Sequence, residues 1–284
     1  MLTFFLITVV GMETTVDNFR SVAKTPKALL GGILGQYVLP LIAILLLKWI
    51  DLKPEISTGL LIIACAPAGG ISNVYTYLAK ANIELSVTLT AVSCIAAAIT
   101  TPLMLKICES NGSLPGLGFR IPLGVLLIHL ILLLMVPVTL GLFIRHRSPS
   151  FVERYKEALK ACSFIGLFLL IAFVISQAPQ TFVQNVQDVA VAAISFIVLS
   201  MLFALLLGMA LRLPNKDRFT LISELGVRNV AISTTLAVSV LSRTEFAVFG
   251  TAYFLIEMPL LLFAVFAFRK MTSEIPEETP SLRS

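Results

Sequence analysis

Charge is what this chain has least of. Only 13% of its 284 residues are Asp, Glu, Lys or Arg, about half the share of an ordinary soluble domain. Histidine occurs twice and tryptophan once. The sequence contains no HExxH, no GxSxG, no P-loop and no GxGxxG, so the common metalloprotease, hydrolase, nucleotide and dinucleotide signatures are missing. That argues against an enzyme. The formal net charge is +5, yet no Lys/Arg run and no aromatic–basic interleaving accompany it, so nucleic acid is not an expected partner. Four cysteines, Cys65, Cys94, Cys108 and Cys162, lie in or beside apolar stretches without CxxC spacing. They read as membrane-buried thiols rather than as a metal site or a disulfide framework. The N-terminus lacks a basic leader and a small-residue cleavage site, so it does not read as a cleavable signal.

What the chain has in quantity is apolar sequence. Hydrophobic residues make up 57%, and the mean hydropathy is +0.96. A soluble sphere of this size could not hide so much apolar surface. A polytopic membrane protein could. At ~20 apolar residues per spanning helix there is room for roughly eight to ten spans. Apolar runs between polar breaks predict nine helices, over 2–15, 27–49, 57–80, 83–106, 119–143, 158–177, 186–211, 219–241 and 245–268. The first is short for a span. The runs are continuous, not ten-residue alternations, which excludes a β-barrel. The expected organisation is one transmembrane domain over 1–270 and a polar cytoplasmic tail over 271–284.

Lysine and arginine set orientation. With loops assigned alternately, Arg20, Lys24, Lys27, Lys80, Arg145, Arg147, Arg154, Lys156, Lys160, Arg212, Lys216, Arg218, Arg269, Lys270 and Arg283 fall on one side. Lys48, Lys53, Lys106, Arg120 and Arg243 fall on the other. The asymmetry predicts nine spans in a cell membrane (inner or plasma), with the N-terminus outside and the C-terminus in the cytoplasm. Arg228 is the one cation left inside a predicted helix.

Two segments echo each other: Gly70-Ile71-Ser72-Asn73-Val74 in the third helix and Gly226-Val227-Arg228-Asn229-Val230 in the eighth. Pro67-Ala68-Gly69 precedes the first, and proline ends a helix. The helices are five apart, and an odd offset reverses direction through the membrane. The pair therefore reads as broken helices of two inverted repeats, the arrangement in which secondary transporters place ion and substrate sites.

Ionisable groups at membrane depth are costly and usually functional. Glu224 opens the second motif and offers a carboxylate for a hard cation such as Na⁺, or a protonatable coupling group. Ser86 and Thr90 share a helix face at i, i+4, either as ligands or as glue between helices. On an unbroken helix Arg228 would pair with Glu224 at i, i+4, and Glu257 in the last helix is a second possible partner. His129 reads as a hydrogen-bonded bundle residue. Gly31-x-x-x-Gly35 reads as a close-packing face. Glu13 lies near a span end, within reach of solvent, and receives no role.

The stretch from Ala64 through Lys80, ACAPAGGISNVYTYLAK, followed by Ile83 through Thr90, IELSVTLT, resembles the signature of the bile acid:sodium symporter family. Glu224-Leu225-Gly226-Val227-Arg228-Asn229 resembles its second signature. Gly11-Met12-Glu13-Thr14 and Pro137-Val138-Thr139-Leu140-Gly141 match weaker segments. The resemblance covers most of the chain. It implies a panel domain and a core domain, with two broken helices crossing at the midplane and two sodium ions behind the crossing. The chain begins at the family's second helix and so resembles the nine-helix form; a truncated gene start would look the same.

Carried over by position, the resemblance implies a first sodium site at Ser72, Asn73, Ser86, Thr90 and Glu224. A second would use Gln36, Glu224, the carbonyls of Leu225 and Val227, and a glutamine where this chain has Arg228. A guanidinium only donates and keeps its charge. It cannot ligate Na⁺. The expectation is therefore one sodium per cycle, with Arg228 either a tethered cation paired to Glu224 or Glu257, or a binder of the substrate anion. Gly70, Ile71, Asn73 and Asn229 would face the substrate. The implied function is sodium-coupled symport of an organic anion, a bile acid-like molecule or a small carboxylate. The competing readings are a proton-coupled or uncoupled carrier on the same fold and a non-transporting membrane receptor.

Overall fold

The computed structural model describes residues 2–15, 26–113 and 123–273. Arg20, Lys24, Arg120 and Arg283, the expected start of the fifth helix and positions 274–284 of the tail lie outside the described residues.

The protein is an all-α polytopic membrane protein. Among the described residues six helical segments are long and apolar enough to cross a bilayer: Pro26–Leu46, Ile83–Ser110, Leu123–Arg147, Pro149–Gln177, Pro179–Ala210 and Thr244–Ser273. In chain order the helices are α1 (Leu2–Glu13), α2 (Pro26–Gln36), α3 (Leu39–Leu46), α4 (Pro54–Cys65), α5 (Ser72–Leu78), α6 (Ile83–Ser110), α7 (Leu123–Leu130), α8 (Val136–Arg147), α9 (Pro149–Gln177), α10 (Pro179–Ala210), α11 (Asn215–Gly226), α12 (Val230–Thr235) and α13 (Ala247–Ser273). A π-helical turn at Ile131–Met135 joins α7 to α8 just before Pro137, and another at Leu236–Val240 extends α12. Proline lacks the N–H that a regular turn needs, and a wider turn absorbs the defect.

The bundle's outer face is apolar. Trp49, Phe263 and Phe266 are exposed, as side chains facing lipid should be. Its interior mixes large apolar residues such as Phe196, Phe249 and Tyr253 with fully buried Ser72, Ser86, Thr90, Glu224 and Glu257. Three of the four cysteines are buried as expected. Cys162 is exposed on α9.

Two helices begin much earlier than the apolar runs predict. α9 starts at Pro149 rather than 158, and α10 at Pro179 rather than 186. Their first turns are charged or polar, so a search for apolar sequence passes over them, but proline at the first helical position starts both. The fused α9 turns are tied back to α8 by Arg145 and Glu153, 2.6 Å apart. His129 bonds within its own helix, to the Val125 carbonyl at 2.8 Å.

Close approaches fix the frame. A Cβ on Gly141 of α8 would strike the Thr8 carbonyl and come within 2.8 Å of the Gly11 Cα, so α1 and α8 cross backbone against backbone. On α2 a Cβ at Gly31 would meet Leu211, and one at Gly35 would meet Leu225 at 2.9 Å. The expected small-residue face thus packs against α11 and the end of α10. Loops from distant parts of the sequence meet at two places. Asn82, before α6, donates to Asp217 of α11 at 2.8 Å. At the other end Lys53, Ala178, Pro179 and Thr244 line one open cavity.

Candidate functional site

The runs at 57–80 and 219–241 are each broken where glycine, proline and asparagine fall. α4 ends at Cys65 and α5 begins at Ser72; α11 ends at Gly226 and α12 begins at Val230. The two breaks lie against each other as an antiparallel bridge between Ala68 and Arg228. Gly69 N donates to Val227 O at 3.2 Å, and Asn229 N donates to Pro67 O at 2.9 Å. Each break thereby satisfies backbone groups the other leaves open, which is how irregular backbone survives at membrane depth. Gly69 is required for this approach, because a Cβ there would lie 2.8 Å from the Arg228 carbonyl.

One stripe of α6 completes the breaks. Ser86, Thr90, Ser93 and Thr101 follow helical spacing along one face. Ser93 Oγ accepts from Ala68 N at 3.3 Å, and Thr101 Oγ1 donates to Cys65 O at 2.7 Å. From the opposite direction Tyr253 of α13 donates to Gly226 O at 2.5 Å. Ser93, Thr101 and Tyr253 are parts of the site that the sequence reading missed. The first two had a signal in the continuation of the Ser86–Thr90 face.

Behind the crossing, Ser72, Asn73, Ser86, Thr90 and Glu224 meet. Glu224 Oε1 receives Ser72 Oγ at 2.5 Å, Ser86 Oγ at 2.6 Å and Thr90 Oγ1 at 3.2 Å. Thr90 Oγ1 is also 3.1 Å from Oε2. Asn73 Oδ1 lies 2.8 Å from Ser86 Oγ and 3.4 Å from Thr90 Oγ1, and Ser72 Oγ lies 3.3 Å from Thr90 Oγ1. Three hydroxyl protons cannot serve all these oxygen–oxygen approaches at once. The cluster has a surplus of lone pairs and one buried carboxylate, which is the donor set a hard monovalent cation needs. Among the described residues no group of three or more His, Cys, Asp and Glu side chains converges.

Asn73 faces two ways. Its Oδ1 belongs to the oxygen cluster, while its Nδ2 donates to Glu13 Oε2 at 3.3 Å. Glu13 lines a cavity of about 110 Å³ together with Gly70, Ile71, Asn229, Lys160 and residues of α1, α9 and α13. Asn229 also caps α12, accepting from Ile232 N at 3.1 Å. Gly70, Ile71 and Asn229 therefore stand at the cavity, and Asn73 joins it to the oxygen cluster. Glu13 and Lys160 were not foreseen as site residues.

Arg228 has neither expected carboxylate partner. Among the described residues no ion pair joins it to Glu224 or Glu257. Val227 is extended, so the helical i, i+4 register that would bring Arg228 to Glu224 is lost. The guanidinium turns instead to the carbonyl end of α4: Nη2 donates to Ala66 O and, at 3.4 Å, to Ala64 O. A cation is favoured there by the aligned carbonyls of the helix end. Gln36 and Arg228 line the same small cavity of about 20 Å³, and Arg228 also borders the cavity that Glu13, Gly70, Ile71 and Asn229 line. Among the described residues Gln36 Nε2, Arg228 Nε and Arg228 Nη1 are buried without hydrogen-bond partners, as are both carboxyl oxygens of Glu257.

The sequence profile of the Sodium Bile acid symporter family matches residues 1–185. The chain is 29% identical over 229 residues to the probable sodium/metabolite cotransporter BASS1, chloroplastic, of Arabidopsis thaliana, covering 80% of this chain and 55% of that protein. It is 28% identical over 244 residues to the uncharacterized sodium-dependent transporter YocS of Bacillus subtilis, covering 84% and 74%. It is 28% identical over 286 residues to the sodium-dependent organic anion transporter of Bos taurus, covering 95% and 73%. The chain thus spans about half the length of the plant relative and about three quarters of the other two. These relatives are transporters, not enzymes. A membrane-spanning chain whose two broken helices cross over an oxygen-rich cluster, and whose first two thirds match this profile, belongs to the sodium bile acid symporter family.

Proposed function

We propose that the chain is a symporter that couples one sodium ion to the movement of a small organic anion. The observation that carries the reading is Asn73, whose carbonyl oxygen sits in the oxygen cluster and whose amide nitrogen reaches the cavity through Glu13. The names of the relatives, sodium/metabolite cotransporter and sodium-dependent organic anion transporter, point the same way.

Sodium would be a co-substrate. Ser72, Asn73, Ser86, Thr90 and Glu224 would hold it, one oxygen each at least. These ligands come from α5, α6 and α11, so the ion would draw three elements together. It would also release the hydroxyls from Glu224 and fix the Asn73 amide. The substrate would then meet Asn73, Asn229 and the backbone at Gly70 and Ile71. Rocking of one body against the other around this fixed crossing would alternate access. The nine-span arrangement, the inverted repeats, a division into panel and core, an outside N-terminus and a cytoplasmic C-terminus in the cell membrane complete the proposal.

Arg228 would hold the place of a second sodium. Its charge lies on the Ala64 and Ala66 carbonyls beside Gln36, and that leaves one ion to be moved per cycle.

The test needs no known substrate. An ion that binds only the folded state raises stability by about 2.7 kcal/mol at a hundred times its dissociation constant. Purified protein should melt higher in NaCl than in KCl of equal ionic strength, and Glu224→Ala should lose that difference. A sodium effect that survives in the variant removes Glu224 from the site; no sodium effect in the wild type ends the symport reading.

A further inference from the structure

The cavity before the crossing is lined by three charged residues, Glu13, Lys160 and Arg228. The Arg228 guanidinium is turned to the Ala66 and Ala64 carbonyls, which leaves one acid and one base that do not meet. Glu13, at the end of α1, and Lys160, on α9, both line it. Among the described residues they form no ion pair with each other. Lys160 Nζ lies 3.7 Å from Glu157 Oε1 instead, and Glu13 Oε2 accepts from Asn73 at 3.3 Å. The walls between them are apolar, with Val10, Phe164 and Leu167 among them.

A simple carboxylate in this space would be drawn to Lys160 and repelled by Glu13. A simple amine would suffer the reverse. A molecule carrying both charges would meet both groups through charge-assisted hydrogen bonds. The cavity is half open, and its volume of about 110 Å³, below the ~150 Å³ void that accepts benzene, suits a small molecule. The apolar walls favour an uncharged, aliphatic remainder.

We propose that the organic anion is in fact the carboxylate end of a small zwitterion of the amino-acid class, its ammonium group on Glu13 and its carboxylate toward Lys160. The inference rests on the reading of this cavity as the substrate site and sharpens the substrate class. It also gives Asn73 a reason to hold Glu13. The ion site then sets, through Asn73, the position of the group that selects the ammonium.

Three probes of matched carbon skeleton decide it: 2-aminobutyrate, butyrate and propylamine, each read by thermal shift on the purified full chain in NaCl. The wild type should bind 2-aminobutyrate at least tenfold more tightly than butyrate or propylamine. Glu13→Gln should lose that preference and bind butyrate as well as or better than 2-aminobutyrate. Should Glu13→Gln fail to fold, Lys160→Gln, a half-buried position at the cavity rim, should weaken 2-aminobutyrate and butyrate while sparing propylamine. Butyrate binding the wild type as tightly as 2-aminobutyrate overturns the proposal, as does stabilisation by none of the three, or a preference unchanged in both variants. A sodium shift without any probe binding defeats this inference alone. Loss of the sodium shift itself defeats the symport reading.

Discussion

Arg228→Gln tests whether a side chain stands in for an ion. The guanidinium donates through Nη2 to the Ala66 and Ala64 carbonyls at the end of α4. Hydrogen bonds made by a charged group contribute about 1.5–3 kcal/mol each, so removing two should cost about 3–6 kcal/mol in sodium-free buffer. The same cation would exclude any other. At about 4 Å and an effective dielectric near 20, two unit charges repel by about 4 kcal/mol, close to a thousandfold in affinity. Glutamine lifts that repulsion and adds an amide oxygen beside Gln36. The assay is melting temperature against NaCl concentration, with KCl holding ionic strength constant. The wild type should follow a one-ion curve. The variant should melt lower in KCl, recover more as sodium rises, and show a Hill slope moving from one toward two. A slope identical to that of the wild type refutes the reasoning, whatever happens to the baseline.

Two further changes probe separate parts of the frame. Thr90→Val keeps shape but removes the hydroxyl that lies 3.2 and 3.1 Å from the two Glu224 oxygens. Loss of one charge-linked hydroxyl should weaken sodium roughly ten- to hundredfold; calorimetric titration with NaCl reads it, and an unchanged constant places the ion elsewhere. Gly141→Ala forces a methyl against the Thr8 carbonyl and should destabilise by about 1–3 kcal/mol through overpacking. Gly124→Ala, with open space around it, is the matched control, and equal melting of the two would deny the close crossing of α1 and α8.

The site was legible in sequence where it contradicts its surroundings. Pro67, Gly69, Gly70 and Asn73 in one apolar run, and Gly226 and Asn229 in another, conflict with an unbroken helix, and that conflict marks both breaks. The candidate oxygen cluster was legible through the family signature, and the structure places the side chains of Ser72, Asn73, Ser86, Thr90 and Glu224 together. Side-chain direction was not legible. The Arg228–Glu224 pairing assumes helical register across a residue that is extended. Glu13 looks like any carboxylate near a span end until the Asn73 amide is seen to reach it. Tyr253 has no sequence signal, because its role depends on α13 lying beside Gly226. The early starts of α9 and α10 escape for the opposite reason: their first turns are helical without being apolar.

The antiparallel bridge at the crossing also bears on how the chain is made. Pro67 and Asn229, and Gly69 and Val227, are neighbours in space but are separated by more than half the sequence. Synthesis delivers the first break to the membrane long before the second. Until α11 arrives, the open backbone after Cys65 lacks the partner that later completes it, although Ser93 and Thr101 on α6 are already in place to hold Ala68 and Cys65. Contacts of such sequence separation form late, and unpaired backbone in lipid is costly. The α6 stripe is therefore an early brace, keeping the first break serviceable during insertion, and the oxygen cluster can close only once Glu224 of α11 has reached the bilayer.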